Sequence, residues 1–185
     1  MRNFIRIAVA VLLAFVGSLT PAHAGTIHMR PYFASDKSEL VLIWDEANGK
    51  SKTWYYDQAE KKFKPSQAKY QLPAKTGIKS NVMMAPYLGP DGSEIILVWN
   101  KKTGESVSWY FDNAKNQFAR SEKKYQVPKQ KGKEIMMVPY VAKDGSEVIL
   151  VWDAKTGKST SWYFDKADDK FKKSEPGFQL PAKPL

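Results

Sequence analysis

The side chains best suited to chemistry in this sequence come in threes. Trp54-Tyr55, Trp109-Tyr110 and Trp162-Tyr163 are each followed, one residue on, by Asp57, Asp112 and Asp165. In an extended chain successive side chains alternate faces, so each tyrosine shares a side with its aspartate and each tryptophan points the other way. Aromatic faces stack on the apolar side of a sugar ring, while neighbouring carboxylates and amides hydrogen-bond its hydroxyls. Repetition multiplies weak sites into avidity. These nine residues are therefore the candidate ligand contacts, the Tyr and Asp positions ahead of the tryptophans.

Other chemistries find few parts. Beyond residue 24 the only histidine is His28, which has no counterpart in the other two copies, and the chain has no cysteine. Nucleophilic triads therefore lack their bases and thiols. Carboxylate pairs recur as Glu39 with Asp57, Glu94 with Asp112 and Glu147 with Asp165, and a carboxylate pair is what glycoside hydrolysis requires. Three copies of one active site in so short a chain favour turn-capping and solvated roles instead, so no catalytic residue is assigned. Asp36, Asp91 and Asp144 stand two residues before a serine, without the dense oxygen-donor loop of a calcium site. Met83 and Met84 fall on opposite faces of an extended strand, which suits core packing better than a copper site. No metal or cofactor is expected.

The elements that must hold these groups are copies of one unit. Residues 29–75, 84–130 and 137–183 align without a gap, and 18 of the 47 positions are identical in all three, so the three copies should fold alike. Each copy opens on Met-x-Pro-Tyr and reaches a turn at Asp36, Asp91 or Asp144. In the second and third copies that turn is Asp-Gly, whereas the first has Lys37 in the glycine position, which predicts a different turn there. A central hairpin follows, in the third copy Ser146 to Asp165. Its first arm is rich in β-branched residues. Its loop ends at Gly157, with Gly104 and Gly49 in the same place, as expected for a loop whose last residue needs positive φ. Val148, Leu150 and Trp152 point one way and Ile149 and Val151 the other. Both sets are apolar, which predicts a strand covered on both faces. Trp44, Trp99 and Trp152, flanked by aliphatics, read as core. A short segment around Phe63, Phe118 or Phe171 and a closing Tyr/Phe-Gln-x-Pro complete three or four antiparallel strands per copy. The polar stretches 76–81 and 130–134 read as joints.

The stretch Asp153-Ala154-Lys155-Thr156-Gly157-Lys158, followed by Trp162, resembles the Asp-x-x-Thr-Gly...Trp signature of the tryptophan-docked blades in quinoprotein-type β-propellers. The resemblance covers about ten residues per copy. It implies blade-like hairpins and says nothing of a cofactor. The expected fold is all-β: three tandem antiparallel repeats stacked like propeller blades, with a β-trefoil or β-prism as the alternative. Three blades are fewer than a closed propeller uses. The first and last would keep an apolar face uncovered, and a homodimer completing a six-bladed ring is the expected remedy.

Residues 1–24 read as a secretory signal peptide: Arg2 and Arg6, an apolar core at about Ile7 to Val16, then Ala22-His23-Ala24. Residues 25–185 are one domain's worth of chain. The net charge is +10, and loss of Arg2 and Arg6 with the leader lowers it to +8. Lysines spread over every repeat favour solubility and encounters with anionic polysaccharide. No nucleic-acid-binding motif and no membrane-spanning stretch are found. The sequence thus predicts a periplasmic or secreted binding module, lectin-like towards cell-surface or extracellular polysaccharide. The alternative is a protein-interaction or structural module of the cell envelope.

Overall fold

The computed structural model describes residues 25–176 and residue 180. The expected leader and the third closing segment's Phe178-Gln179 lie outside those residues. Each repeat forms its own four-stranded antiparallel sheet in simple chain order. The first blade-like sheet is β1 (Ile27–Phe33), β2 (Glu39–Asp45), β3 (Ser51–Asp57) and β4 (Lys62–Pro65). The second is β5 (Val82–Leu88), β6 (Glu94–Asn100), β7 (Ser106–Asp112) and β8 (Gln117–Arg120). The third is β9 (Ile135–Val141), β10 (Glu147–Asp153), β11 (Ser159–Asp165) and β12 (Lys170–Lys173). No ladder joins strands of different repeats among the described residues. Three separate four-stranded sheets are what three tandem blade-like repeats require.

The hairpin loops follow the sequence. Asp45 N–H donates to the Lys50 carbonyl and Gly49 N–H to the Asp45 carbonyl, and Gly49, Gly104 and Gly157 all have φ near 70°. The first turn is a correction. Lys37 takes φ 69° and donates its N–H to the Ala34 carbonyl, as Gly92 and Gly145 do to Gly89 and Ala142. The turn is thus the same in all three copies, and in the first a lysine carries the left-handed conformation that glycine adopts at less cost. The first two closing segments are not strands: each leaves a 3-10 turn, Ala68–Tyr70 or Lys123–Tyr125, at its first residue and runs on as irregular chain. The Gln71 side chain ties the first to its own sheet by bonding both the N–H and the C=O of Thr53 (2.7 and 3.0 Å). Leu72 and Val127 then enter the apolar layers between sheets. The first joint is more buried than its polarity suggested, since Thr76 and Ile78 are both enclosed.

Burial follows the order of stacking. On β6 the residues Ile96 to Trp99 are buried on both faces. On β2 only Leu40, Leu42 and Trp44 are buried, facing the second sheet. On β10 it is Ile149 and Val151 that meet the second sheet. Two apolar layers result: Leu42 and Trp44 against Val82, Met84, Ile96 and Val98, then Leu97 and Trp99 against Ile135, Met137, Ile149 and Val151. Each layer is pinned by an indole. Trp44 Nε1 donates to the Val82 carbonyl and Trp99 Nε1 to the Ile135 carbonyl, both at 2.9 Å. The opening strands pack in series, β1 on β5 and β5 on β9, with no comparable packing of β9 on β1 among the described residues.

Candidate functional site

The second and third sheets part at the end where β5 finishes, β6 begins and β7 runs out. Between the second and third sheets this leaves a cleft of about 640 Å³. One wall comes from the second sheet: Tyr87 at the end of β5, Tyr110 on β7, and Tyr125 of the 3-10 turn. The other wall is Glu147, Phe164 and Phe171 of the third sheet. Asp91, Ser93, Arg120 and Lys166 add polar groups to the lining.

Register explains why these side chains converge. On β7, Tyr110 pairs across from Ile95 and so points at the third sheet. On β11, Phe164 pairs with Phe171 and points back at the second. Tyr125 stacks on Phe164 (5.4 Å, 27°), and Phe164 meets Phe171 edge-on at 5.5 Å. The Tyr87 hydroxyl donates to Glu147 Oε1 at 2.6 Å, bridging the sheets. Burial pushes the Glu147 carboxyl above its usual range against the opposing effect of the Tyr87 bond, and the nearby Asp91 charge adds to the rise. Burial likewise holds the Tyr87 phenol well above its ordinary value, helped by the Glu147 charge. Asp91 is the opposite case: Ser93, by backbone and side chain, holds its carboxyl low.

The first layer carries the same parts. Tyr32 is pushed up by burial, then by the charge of Glu94, which stands where Glu147 stands. Glu94 also accepts from the N–H and hydroxyl of Ser35, both at 3.3 Å. Tyr70 stacks on Phe111 (5.2 Å, 24°) as Tyr125 does on Phe164. The first layer thus repeats the aromatic stack and brings Glu94 near Tyr32, but among the described residues the phenol–carboxylate bond is seen only between Tyr87 and Glu147.

The residues expected from sequence are divided among three places. Tyr110 lines the cleft. Tyr55 occupies the same register on β3, facing the second sheet, and Tyr163 does so on β11, where no further sheet lies opposite among the described residues. The tryptophans face the other way. Trp109 packs in the first layer and donates Nε1 to the Thr76 carbonyl at 3.0 Å. Trp162 packs in the second and donates to Gln130 Oε1 at 3.3 Å. Trp54, on the uncovered side of the first sheet, has the Lys52 ammonium 5.8 Å from its ring centroid. The aspartates serve their turns: Asp57 accepts from Ala59 and Glu60 N–H, Asp112 from Ala114 and Lys115, Asp165 from Ala167 and Asp168. Each also pairs with a lysine, Lys64 at 2.7 Å, Lys115 at 3.1 Å and Lys172 at 2.6 Å respectively. His28 bonds Glu46 at 2.9 Å and stacks on Trp44, away from the cleft. Among the described residues no cluster of His, Cys, Asp and Glu could hold a metal ion, and no helix is long and apolar enough to cross a membrane.

No family model matches this chain, and no curated protein does. Among solved structures it is similar to a fucose lectin from Kordia zhangzhouensis in complex with methyl-fucoside. The likeness spans 80% of this chain and 97% of that one, at 13% identity and a TM-score of 0.41. At that score the likeness carries no argument about fold detail or ligand.

Sequence reasoning missed the Tyr87–Glu147 pair and Tyr125. The signal was there: the tyrosine of Met-x-Pro-Tyr and the glutamate of Ser-Glu recur in every copy. They lie far apart in sequence and meet only once one repeat is stacked on the next.

Proposed function

We propose that this protein is a carbohydrate-binding module that holds a saccharide in the cleft between its second and third sheets. The observation that carries the reading is the cleft's composition: the Tyr125–Phe164–Phe171 rings beside the Tyr87–Glu147 pair, Tyr110 and Asp91. Rings supply a stacking surface, and carboxylates and phenols supply directional partners for hydroxyls. The free Glu147 oxygen and the Tyr110 phenol are the donors and acceptors that orient a sugar. The mode is binding without bond cleavage. Asp165, the partner that a hydrolytic pairing with Glu147 would need, is committed to its turn and to Lys172. Export to the periplasm or the outside, where such polysaccharides lie, belongs to the same proposal and is motivated by the leader-like residues 1–24.

The test is a glycan array read at low and high salt. Retention of particular neutral sugars at high salt, weakened on the order of tenfold by Tyr110→Ala, is the expected result. Binding only to polyanions, lost as salt rises, would assign the affinity to the lysines alone. Silence on every glycan would overturn the reading.

A further inference from the structure

The two ends of the stack are unlike each other and complementary. On the first sheet, Ile27, Met29, Val41, Ile43 and Phe63 lie on the side away from the second sheet. Their repeat equivalents on the second and third sheets are the residues that pack against the preceding sheet. Met29 is 68% exposed whereas Met84 and Met137 are 1% exposed, and Phe63 is 50% exposed whereas Phe118 and Phe171 are 6 and 7%. The edge-on pair Tyr56–Phe63, at 5.3 Å, is already assembled as Phe111–Phe118 and Phe164–Phe171 are. At the other end, the third sheet leaves Leu150 and Trp152 half-buried where the first two sheets bury Leu42, Leu97, Trp44 and Trp99, and Tyr140 is 45% exposed where Tyr32 and Tyr87 are half-buried. Trp44 and Trp99 each reach the carbonyl of the next repeat's opening strand, but Trp152 finds no acceptor among the described residues. The residue standing where Val82 and Ile135 stand is Ile27, at the far end of the same chain.

We infer that a second copy of this chain docks on these faces, the third sheet of each copy covering the first sheet of the other, to close a ring of two chains. The joint repeats both internal layers: Trp152 donates to the partner's Ile27 carbonyl, as Trp44 does to Val82 and Trp99 to Ile135. Closed rings of stacked blades hold roughly four to eight sheets. Each chain brings three, so two chains are the only closed number in that range. A head-to-tail contact that closes leaves no apolar end, and one that does not close would grow into a fibre. The joint also completes a further cleft of the kind described above. Tyr140 and Tyr163 of one copy take the places of Tyr87 and Tyr110, and Glu39 of the other takes the place of Glu147. Docking stands without the saccharide reading, and only occupancy of this added cleft rests on it.

Sedimentation equilibrium without any sugar tests the docking. The expected mass is twice that of one chain, falling to the mass of one chain in Met29→Glu and, separately, in Tyr140→Glu. Both positions are exposed in the single chain, so an unchanged circular dichroism spectrum shows that folding survives, and Phe63→Asp serves as a further variant of the same face. A one-chain mass at every concentration, a mass that climbs without limit, or a two-chain mass indifferent to both substitutions would overturn the inference. If the ring forms but no glycan binds, the saccharide reading fails and the docking stands.

Discussion

Single side chains in this protein earn their places by what they bond across a sheet boundary. Trp99 is fully enclosed, and its indole N–H is the donor to the Ile135 carbonyl. Trp99→Phe keeps an aromatic ring but leaves that carbonyl without its donor. It should destabilise the fold by about 2–3 kcal/mol in chemical denaturation, combining a lost buried hydrogen bond with a small cavity. Lys37 presents the converse case. Because it holds a left-handed conformation that Gly92 and Gly145 hold in the other copies, Lys37→Gly should be neutral to stabilising by up to about 1 kcal/mol. Asp153 accepts N–H bonds from Lys133, Glu134 and Lys155, which hold its carboxyl below its ordinary 3.8. A lowered folded pKa contributes stability that is present above 3.8 and lost as pH falls through the folded value. Asp153→Asn should therefore flatten the acid limb of the stability profile. Glu147 has the opposite sign. Its raised pKa penalises the folded state as pH climbs above 4.5, so Glu147→Gln should gain stability relative to the native protein at neutral pH and lose that gain in acid.

At the scale of elements, the hairpin loops are both turns and pegs. Gly104 needs positive φ, its carbonyl accepts from Gln130 N–H, and a Cβ there would overlap the Gln130 backbone. Gly104→Ala should be markedly destabilising, by about 2 kcal/mol or more. Gly92→Ala, with nothing near its missing Cβ, should cost only the φ strain of about 1 kcal/mol. Thermal melts of the pair separate contact from conformation. The elements were largely legible in the sequence because each copy restates the same punctuation: Asp-Gly, a β-branched run and a glycine-ended loop. Two apolar faces on one strand likewise announced stacking, since no single sheet can bury both. The shared turn at Lys37 was not legible, because the backbone there is set by the hydrogen bonds around it and not by the residue it happens to hold. The closing segments resembled strands locally, yet the first two are irregular chain after a 3-10 turn, tied back by the Gln71 and Gln126 side chains. Tyr110 could be picked from alternation with its aspartate. The Tyr87–Glu147 pair could not, because 60 residues separate its members.

At the scale of the molecule, serial stacking explains both the cleft and the uncovered ends. A sheet twists, so two sheets that pack tightly along their middles part towards one end. The parting leaves aromatic rings and carboxylates lining the gap instead of sealing it. The same geometry gives every repeat a face that covers and a face that is covered. Three repeats in a row leave one of each over. Saccharide binding, if it occurs, belongs in the cleft between the second and third sheets. Its most direct test is a heteronuclear NMR titration with a panel of neutral monosaccharides at high salt. The expected result is saturable shifts that include the surroundings of Tyr87, Tyr110, Tyr125 and Glu147, those shifts saturating at on the order of tenfold higher sugar concentration in Tyr110→Ala. Shifts gathered instead at the lysines, or none for any sugar, would contradict it.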